Sequence, residues 1–519
     1  MKTRFLLFLT AFFALQLSAA EAIHISISNP DTWVGEELRP YIGQTVIFDD
    51  PLVICSQPSR YTPEYTISTR RLYTPTNQAR PNSNDYKNIV RLNNAGALRI
   101  VNLPGYHRCG VRIDSLVARV NSTSSLTWVD GRFRGNTREE LQAGIPDVGD
   151  YDLLVCTYNV ENYFMSQPHH DRQCKKIVNA LLRIDADIYG LVEMEEGNKG
   201  IGEITSKLNA RQSKRQYTYC DNGTTASNQT AAFVYDSKTV KPIGVVQGKK
   251  GGSIPTTRHR MICFEELATH ERFILSVNHF KAKSGSGAAG GDADQGDGQG
   301  MYNASRVAET HAVMDLYRLY SVQIKEKDVL IMGDLNAYGK EDPIITFQEN
   351  GMIDLHRAFH ADSSYSYQYG GTAGYLDHAL TNSTMRAQVT GMSAFHINSD
   401  ESDNYTYDKS SDTTMFRGSD HDPVLVGLRL DSTLTYDPNP QINALEVLKG
   451  ESRVLTILHA LKDTQNSYYS IFDISGRAIT THRKIEMDTQ PVVMPTAPGI
   501  YILYIYCDQT VYPYKFIVR

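Results

Sequence analysis

Polar residues recur at the ends of six apolar runs between residues 152 and 430. An α/β scaffold presents its functional groups at such strand ends, although a single Asn, Asp or His there is usually a turn former, a cap or a structural group. As a set they include carboxylates that can hold Mg²⁺ or Ca²⁺, amides that can orient water or phosphate, and imidazoles that transfer protons near neutral pH. They are Asn159 with Glu161, Glu193, Asn278 with His279, Asp334 with Asn336, Asp377 with His378, and Asp420 with His421 and Asp422.

The elements that must position these residues alternate between strands and helices. From Asp152 to Leu430, apolar strand-like runs are separated by helical stretches such as 174–183 and 304–319. This alternation predicts a layered α/β domain over residues 150–431. A loop at 284–300 contains seven Gly and three Asp, and we expect it to be exposed and mobile.

That loop also carries a weak calcium signal in Asp292, Asp294 and Asp297. The spacing does not fit an EF-hand, because Asn303 stands where the twelfth-position Glu is required. A dedicated calcium site therefore remains only an alternative here.

The flanking segments read as separate β-rich domains. Residues 23–145 alternate short apolar runs with turn formers, which predicts a small all-β, barrel-like unit that loosely resembles an oligonucleotide-binding barrel. By count it holds 14 Arg and Lys against 11 Asp and Glu, and Arg suits phosphate well; a purely structural β domain is the equal alternative. After a linker, residues 432–519 predict a C-terminal β-sandwich, with an immunoglobulin-like accessory module as the alternative.

Length, charge and cysteine content limit the class of protein. The 519 residues suggest about three domains, and the net charge of −6 excludes a protein that holds polyanions by bulk charge. Residues 1–22 have the order of a secretory signal peptide, and no later run is long enough to span a membrane. Seven scattered cysteines make a zinc cluster improbable, whereas Cys55 and Cys109 could pair.

Taken in order, the motifs resemble the endonuclease/exonuclease/phosphatase superfamily. They are Asn159-Val-Glu-Asn162, Leu191-Val-Glu193, Asn278-His279, Gly333-Asp-Leu-Asn336, Leu376-Asp-His378 and Ser419-Asp-His-Asp-Pro423. Two added segments, 294–300 with Asn303 and Arg306, and 396–401 with Tyr405, resemble the large secreted bacterial nucleases of that superfamily. The resemblance implies a four-layer α/β sandwich. Features between Asp437 and the C-terminus resemble the sorting domain of type IX secretion substrates.

The resemblance also implies a role for each position. Glu193 would bind the metal with Asn159 and Asp420, although the neighbouring Glu195 and Glu196 could share it. Asp334 would orient or deprotonate water, Asn336 would hold the water or phosphate, and His421, oriented by Asp377, would be an acid/base or phosphate contact. His279 would contact phosphate or protonate the leaving group. The predicted substrate contacts are Arg258, Asn278, Asn303 and Arg306, of which Arg258 and Arg306 could equally be structural.

The predicted protein is a monomeric, secreted or surface-exposed, Mg²⁺-dependent nuclease of a Gram-negative bacterium, with Mn²⁺ or Ca²⁺ as alternative metals. It would cut DNA, with RNA as a further substrate, to leave a 3′-hydroxyl and a 5′-phosphate, and its export would use the type IX secretion machinery. The alternatives are a phosphatase or lipid phosphodiesterase of the same fold, and a non-catalytic surface protein that binds nucleic acid. Against the last, no expected catalytic position holds an inert residue.

Overall fold

The chain forms two compact units, which divide between Leu434 and Thr435. In the first unit, the computed structural model describes residues 23–58, 64–223, 229–248 and 258–431; in the second, it describes 445–449, 454–459, 467–473, 477–485, 489–507 and 510–518. The predicted signal peptide and residues 432–440 of the predicted linker lie outside the described residues.

The N-terminal part of the first unit is a β-barrel. Its strands are β1 (Ile23–Ile25), β2 (Thr45–Phe48), β3 (Leu52–Ser56), β4 (Tyr65–Ser68), β5 (Leu98–Val101), β6 (Arg112–Ser122) and β7 (Ser125–Arg134). Pairing runs β3–β4–β5–β7–β6 and returns to β3, so five strands close a ring, with β5 and β7 parallel. Alternate residues of these strands point inward and, with Trp33 and Leu38, form one apolar core.

The expectation of an all-β unit is wrong in one respect, because the barrel carries helices. They are α1 (Pro75–Gln78), α2 (Asn84–Gly96) and α3 (Arg138–Ala143). The α2 helix starts where the Ser83 side chain accepts a hydrogen bond from the Tyr86 N–H at 3.1 Å.

The central part contains two six-stranded sheets. Its strands are β8 (Leu153–Tyr163), β9 (Ile188–Glu195), β10 (Tyr217–Tyr219), β11 (Gln229–Asp236), β12 (Val240–Gly248), β13 (His259–Glu266), β14 (Arg272–His279), β15 (Val329–Asp334), β16 (Ile353–Asp354), β17 (Tyr367–Tyr369), β18 (Thr372–Gly374), β19 (Asp377–Thr381), β20 (Val389–Ala394) and β21 (Val424–Leu428). The first sheet has the order β10-β11-β9-β8-β21-β20, and the second has the order β12-β13-β14-β15-β19-β16.

Helices cover both outer faces of this pair of sheets. They are α4 (His170–Ile184), α5 (Asn198–Arg211), α6 (Asn303–Ile324), α7 (Asp342–Glu349), α8 (Leu355–His360) and α9 (Ser383–Arg386). One apolar cluster joins α4 and α5 to the first sheet, a second fills the space between the sheets, and a third joins α6 and α7 to the second sheet. The predicted layered α/β domain is confirmed, and its layers number four.

Strand direction brings the predicted site residues to one edge of the two sheets. In each sheet a central parallel pair, β8 with β9 and β14 with β15, ends at this edge, while antiparallel β21 and β19 begin there. Gly333 permits the close approach of β14 and β15. Its φ is +118°, and a Cβ there would lie 2.1 Å from the Asn278 carbonyl oxygen.

The barrel docks onto the central part through a segment between β20 and β21. The Asp400 carboxylate accepts hydrogen bonds from Arg71 at 2.9 and 3.3 Å, and the Glu401 carboxylate contacts Arg108 and Arg138. Both acidic side chains are fully buried. Three arginines that composition suggested for phosphate are therefore used inside the protein.

The second unit contains seven described strands in two sheets. They are β22 (Leu445–Lys449), β23 (Val454–His459), β24 (Ser467–Asp473), β25 (Ala478–Lys484), β26 (Thr489–Val493), β27 (Gly499–Cys507) and β28 (Thr510–Val518). The orders are β22-β23-β26 and β25-β24-β27-β28, and one apolar cluster contains residues of both sheets.

Two further expectations can be compared with the structure. Within the described residues, no helix combines the length and the apolarity needed to cross a bilayer. Cys55 and Cys109, which the sequence offered as a pair, are both free and buried, and burial raises the pKa of the Cys55 thiol to about 11. The Cys109 thiol instead donates to the Cys55 carbonyl oxygen at 3.4 Å. Cys156 is also free and buried, on β8.

Candidate active site

Carboxylates and imidazoles converge at the edge where the two sheets meet. Glu193, His279 and Asp334 place one ligand atom each within 4.8 Å of one another, and so do Asp334, Asp377 and His421. Asp334 belongs to both groups and therefore lies at the centre. The residues come from five chain segments that the sequence separates widely, and the strand register makes His279, Asp334 and Asp377 direct neighbours.

An amide joins the two sheets at this point. The Asn159 side chain donates to Glu193 Oε1 and to Asp334 Oδ2, both at 3.1 Å, and its own oxygen accepts the Glu161 N–H at 2.9 Å. The second oxygen of Glu193 accepts the Asn162 N–H at 2.9 Å. Asn159 and Glu161 lie within β8, which runs on to Tyr163, rather than after it as the apolar run suggested.

At four residues of the site, the backbone adopts a left-handed conformation that residues other than glycine rarely take. Glu161, Glu193, Asn336 and Arg417 have φ values of +52°, +63°, +47° and +55°. Left-handed backbone at residues other than glycine persists only where the surroundings enforce it, and such residues concentrate at functional sites. At Glu193 this conformation interrupts the regular extended backbone near the end of β9.

The group of carboxylates fits a divalent cation. Burial, then the carboxylate of Asp420, raises the pKa of Glu161 to about 8, and Glu161 Oε2 is buried without a hydrogen-bond partner. Burial also raises the pKa of Glu193. Buried acids that repel one another resist ionisation, and Mg²⁺ or Ca²⁺ bound by their oxygens would compensate their negative charge. Glu193 would hold it together with Glu161 and Asp420, whose negative charges act on one another. The predicted metal ligand Asn159 instead presents its amide nitrogen, not its oxygen, to Glu193.

His421 forms an ion pair with Asp377. Its Nδ1 lies 2.7 Å from Asp377 Oδ2, which also accepts the Ser366 hydroxyl at 2.7 Å. Burial alone would lower the pKa of His421, but nearby carboxylates, first that of Asp377, outweigh burial and hold this pKa well above its usual value. His421 Nε2 faces Asp334 at 3.8 Å. The imidazolium therefore points a proton into the site.

His279 differs from His421 in charge. Its Nε2 lies 3.5 Å from Glu193 Oε1 and 3.7 Å from Asp334 Oδ2. Burial, followed by the positive charge of Arg258, lowers the pKa of His279 well below its usual value. One imidazole of the site is therefore neutral while the other is charged.

Asp334 and Asn336 form a compact pair after β15. Asp334 Oδ1 accepts the Asn336 N–H at 2.8 Å, and the Asn336 amide donates to Asp334 Oδ2 at 3.2 Å and to the Phe280 carbonyl at 3.1 Å. Burial raises the pKa of Asp334 to about 7. A carboxylate with this pKa can accept a proton at neutral pH.

Comparison with family models identifies the central domain. The model described as the Endonuclease/Exonuclease/phosphatase family matches residues 156–421, which is 266 of the 519 residues. The chain belongs to the endonuclease/exonuclease/phosphatase family. The match spans every position from Asn159 to His421 at the converging edge.

Solved structures similar to this family member are distant. The catalytic domain of human nocturnin with bound sulfate is 14% identical, with 53% of this chain and 93% of that chain covered and a TM-score of 0.36. An endonuclease/exonuclease/phosphatase from Bacteroides vulgatus is 14% identical, with 54% and 99% covered and a TM-score of 0.38. A mannosyl-6-phosphatase from Bacteroides thetaiotaomicron is 15% identical, with 54% and 100% covered and a TM-score of 0.37. No curated protein sequence gives a significant match.

The structure places several residues of this family site that the predicted assignment did not include. Glu161 turns its carboxylate toward Asp420, although the sequence offered it only as a strand end. Tyr367 lies against His421 with ring centroids 4.7 Å apart, and Arg417 interacts electrostatically with Asp420 and Glu161. Arg417 could have been noticed, because it stands two positions before Ser419, which begins the Ser-Asp-His motif. Tyr367 has no comparable sequence signal.

The structure places one predicted substrate contact beside the active site and buries two others. Arg258 lies beside the site, where it donates to the Phe280 carbonyl at 2.6 Å and its charge acts on His279. Asn278 is fully buried and donates to Ser276 and to the Met332 carbonyl, so it does not face a substrate. Arg306 is likewise fully buried.

The Arg306 side chain supports the loop behind the site. It donates to the carbonyl oxygens of Lys281, Gln299 and Met301, which does not fit the predicted phosphate contact. Asn303, the first residue of α6, donates to Asp342 at 2.8 Å. The buried Gln299, near the end of the loop, donates to the same carboxylate. The loop at 284–300 is therefore exposed over most of its length but anchored at its end.

Two remaining alternatives for metal binding find no support. Within the described part of the chain, the loop acids Asp292, Asp294 and Asp297 do not form a group that could hold an ion. Glu195 accepts the Met165 N–H at 3.1 Å, and it belongs to neither group of side chains that converges on Asp334.

Proposed function

We propose that the chain is a metal-dependent endonuclease that hydrolyses phosphodiester bonds of DNA, with RNA as a further substrate, and leaves a 3′-hydroxyl and a 5′-phosphate. The observation that carries this proposal is the convergence of Glu193, Asp334, His279 and the His421–Asp377 pair on one point. It provides a carboxylate base, a charged and a neutral imidazole, and oxygens for a cation within a space of a few ångströms.

The residues divide the reaction between them. Asp334, with its raised pKa, takes a proton from the attacking water, and the Asn336 amide keeps the carboxylate in place. The His421 imidazolium donates a hydrogen bond to a non-bridging phosphate oxygen, where negative charge increases in the transition state. Asp377 fixes the ring and maintains its charge. A bound divalent cation supplies charge neutralisation of the phosphate and the leaving oxygen.

His279 is suited to a different part of the reaction. Because its pKa is lowered, it is neutral at pH 7 and can offer either a lone pair or an N–H. Its position beside Glu193 places it near the phosphate, and Arg258 adds a positive charge on the same side. We assign it a hydrogen-bond contact to the phosphate, because an imidazole that is neutral at pH 7 has no imidazolium proton to give to the leaving oxygen.

The docked barrel supports a polymeric substrate over a small phosphomonoester. The closed ring β3–β4–β5–β7–β6 with parallel β5 and β7 agrees with an oligonucleotide-binding barrel. The buried contacts of Asp400 and Glu401 hold it on the catalytic domain. A small phosphomonoester would not require a second domain fixed beside the site, whereas a nucleic acid strand extends beyond it.

We further propose that the protein acts outside the cell. The order of charged, apolar and small residues over 1–22 supports export, and the C-terminal motifs support transfer by the type IX machinery of a Gram-negative bacterium. We expect a monomer with Mg²⁺ as the metal, and Mn²⁺ or Ca²⁺ as substitutes. Recovery of the protein exclusively inside the cells would contradict this location.

Covalently closed circular plasmid tests the activity. We expect Mg²⁺-dependent conversion to nicked and linear forms by the wild-type chain, none with excess chelator, and none with Asp334→Ala. Asp328→Ala is a matched control, because this buried Asp precedes β15 at the end opposite Asp334 and accepts a hydrogen bond from the Gln388 amide. Degradation of linear DNA alone would make the enzyme an exonuclease. Survival of both DNAs, with release of phosphate from a monoester, would favour the phosphatase alternative.

A further inference from the structure

A cavity lies at the junction of the barrel and the docking segment. Its volume is about 590 Å³, within the range of small-ligand sites, which is about 300–1,000 Å³. One wall is formed by seven barrel residues, and the other by three residues that follow the buried Asp400 and Glu401. The first set is Pro58, Tyr65, Ile100, Asn102, Leu103, Gly105 and Tyr106, and the second is Ser402, Asn404 and Tyr405. The active-site residues do not line it.

The lining of this cavity suits a flat, uncharged ring. Its aromatic members are Tyr65, Tyr106 and Tyr405, and the Tyr106 and Tyr405 ring centroids lie 4.6 Å apart. None of the ten lining residues carries a charge, so the cavity offers little to a phosphate or a carboxylate. Asn102 and Asn404 are exposed at its edge and provide amide donors and acceptors of the kind that recognise base edges.

The cavity is connected to the catalytic loop through one residue. Asp403, between lining residues Ser402 and Asn404, accepts a hydrogen bond from Arg417. Arg417 in turn interacts electrostatically with Asp420 and Glu161 in the active site. A ligand in the cavity would therefore be held by the same short segment that fixes Arg417.

Further aromatic rings continue from the cavity wall over the barrel. Tyr65 is followed by His107 at 6.4 Å, His107 by Phe133 at 3.6 Å, and Phe133 by Trp128 at 5.2 Å, measured between ring centroids. The last two contacts are stacked. Because His107, Phe133 and Trp128 stack on one another, and Phe133 and Trp128 also pack against the barrel core, their ring faces are largely occupied. The cavity, rather than this row, therefore offers the space for a base.

We propose that this cavity binds one unpaired nucleobase of the nucleic acid substrate. The proposal rests on the proposed function, because it assumes that the substrate is a nucleic acid. It adds a base-binding position outside the catalytic centre. A strand held there would be retained beside the active site between successive cuts.

Binding of a fluorescent single-stranded oligodeoxynucleotide tests this proposal. The full chain carries Asp334→Asn to prevent cleavage, and a deoxyribose-phosphate strand of equal length without bases is the second probe. We expect Tyr405→Leu and Asn404→Trp to weaken oligonucleotide binding about 5- to 100-fold, which corresponds to about 1–3 kcal/mol, by removing a ring and by filling the cavity. Tyr41→Leu, in the barrel but outside the cavity lining, is the control.

Each outcome either supports or overturns the proposed base-binding role of the cavity. Equal affinity of the parent chain for the two strands, or unchanged oligonucleotide affinity in Asn404→Trp, would overturn the cavity proposal. Asn404 is exposed, so this variant remains informative if Tyr405→Leu does not fold. If wild-type protein cuts plasmid while both variants bind normally, only the cavity assignment fails. If wild-type protein leaves plasmid intact in every metal, the proposed function itself fails.

Discussion

Replacing Asp377 by Asn should change the charge of His421 while preserving its position. The amide oxygen can still accept from the imidazole and from Ser366, which now share Asp377 Oδ2. A unit charge at 2.7 Å contributes at most about 6 kcal/mol at an effective dielectric constant of about 20. Solvent and side-chain rearrangement absorb much of this, so we expect the pKa of His421 to fall by about 1–3 units.

The predicted consequence is a displaced pH profile. A rate that depends on the His421 imidazolium is maintained below its pKa and lost as the pH rises through it. In Asp377→Asn the alkaline limb of plasmid nicking should therefore move to lower pH by about 1–3 units, with a loss of up to about 10³-fold above it. Initial nicking rates across the neutral and alkaline range, and titration of ¹³C-labelled histidine by NMR, measure both quantities.

A control variant and a result that would refute the role of charge complete this test. Asp187→Asn removes a buried carboxylate that accepts the Leu154 N–H at 2.8 Å at the far end of the sheet, and it should leave the profile in place. A uniform loss of rate in Asp377→Asn with an unmoved alkaline limb would refute the role of charge. It would leave Asp377 with a purely orienting role.

Three further variants test the structure around the site. Glu401→Ala leaves the buried guanidinium of Arg108 without its partner, so chemical denaturation should show a loss of about 3–5 kcal/mol, whereas the exposed Glu36→Ala should not move the midpoint. Arg306→Lys should lower the unfolding free energy by about 1–3 kcal/mol for each buried hydrogen bond lost, and it should not change the salt dependence of DNA binding. A weaker salt dependence in this variant would show that Arg306 contacts phosphate after all. Gly333→Ala should yield no folded protein in thermal unfolding, since its Cβ would overlap the Asn278 carbonyl oxygen, and a normal transition would refute that contact.

The site could be predicted from the sequence because its chemistry lies where strands end. Alternation of apolar strands with helices marked the layered domain, and in such a domain polar residues after the strands must meet at one edge. The structure accordingly brings Glu193, His279, Asp334 and His421 together. Local pattern carried this information, since each motif lies within or directly beside one end of its own strand.

What the sequence did not reveal depends on contacts between distant segments. Arg306 looks like a phosphate-binding arginine until three carbonyl groups are found around its guanidinium. Tyr367 reaches His421 only because the β17–β18 hairpin packs beside the site. The arginine-rich barrel likewise suggested a phosphate surface, but Asp400 supplies the partner for Arg71 from 329 residues away. Such pairings have no signature in local sequence.

The way the barrel is attached also determines how far the enzyme can be dissected. Burial alone would raise the pKa of Asp400, but the nearby positive charges, first that of Arg71, outweigh burial and hold this pKa at about 2, so this group stays ionised inside the protein. A fragment that begins near residue 150 would lose Arg71, Arg108 and Arg138 together. The carboxylates of Asp400 and Glu401 would then be left without these ion-pair partners on a newly exposed surface. We therefore do not expect the four-layer domain to be stable on its own, and the smallest fragment worth expressing begins with the first barrel strand.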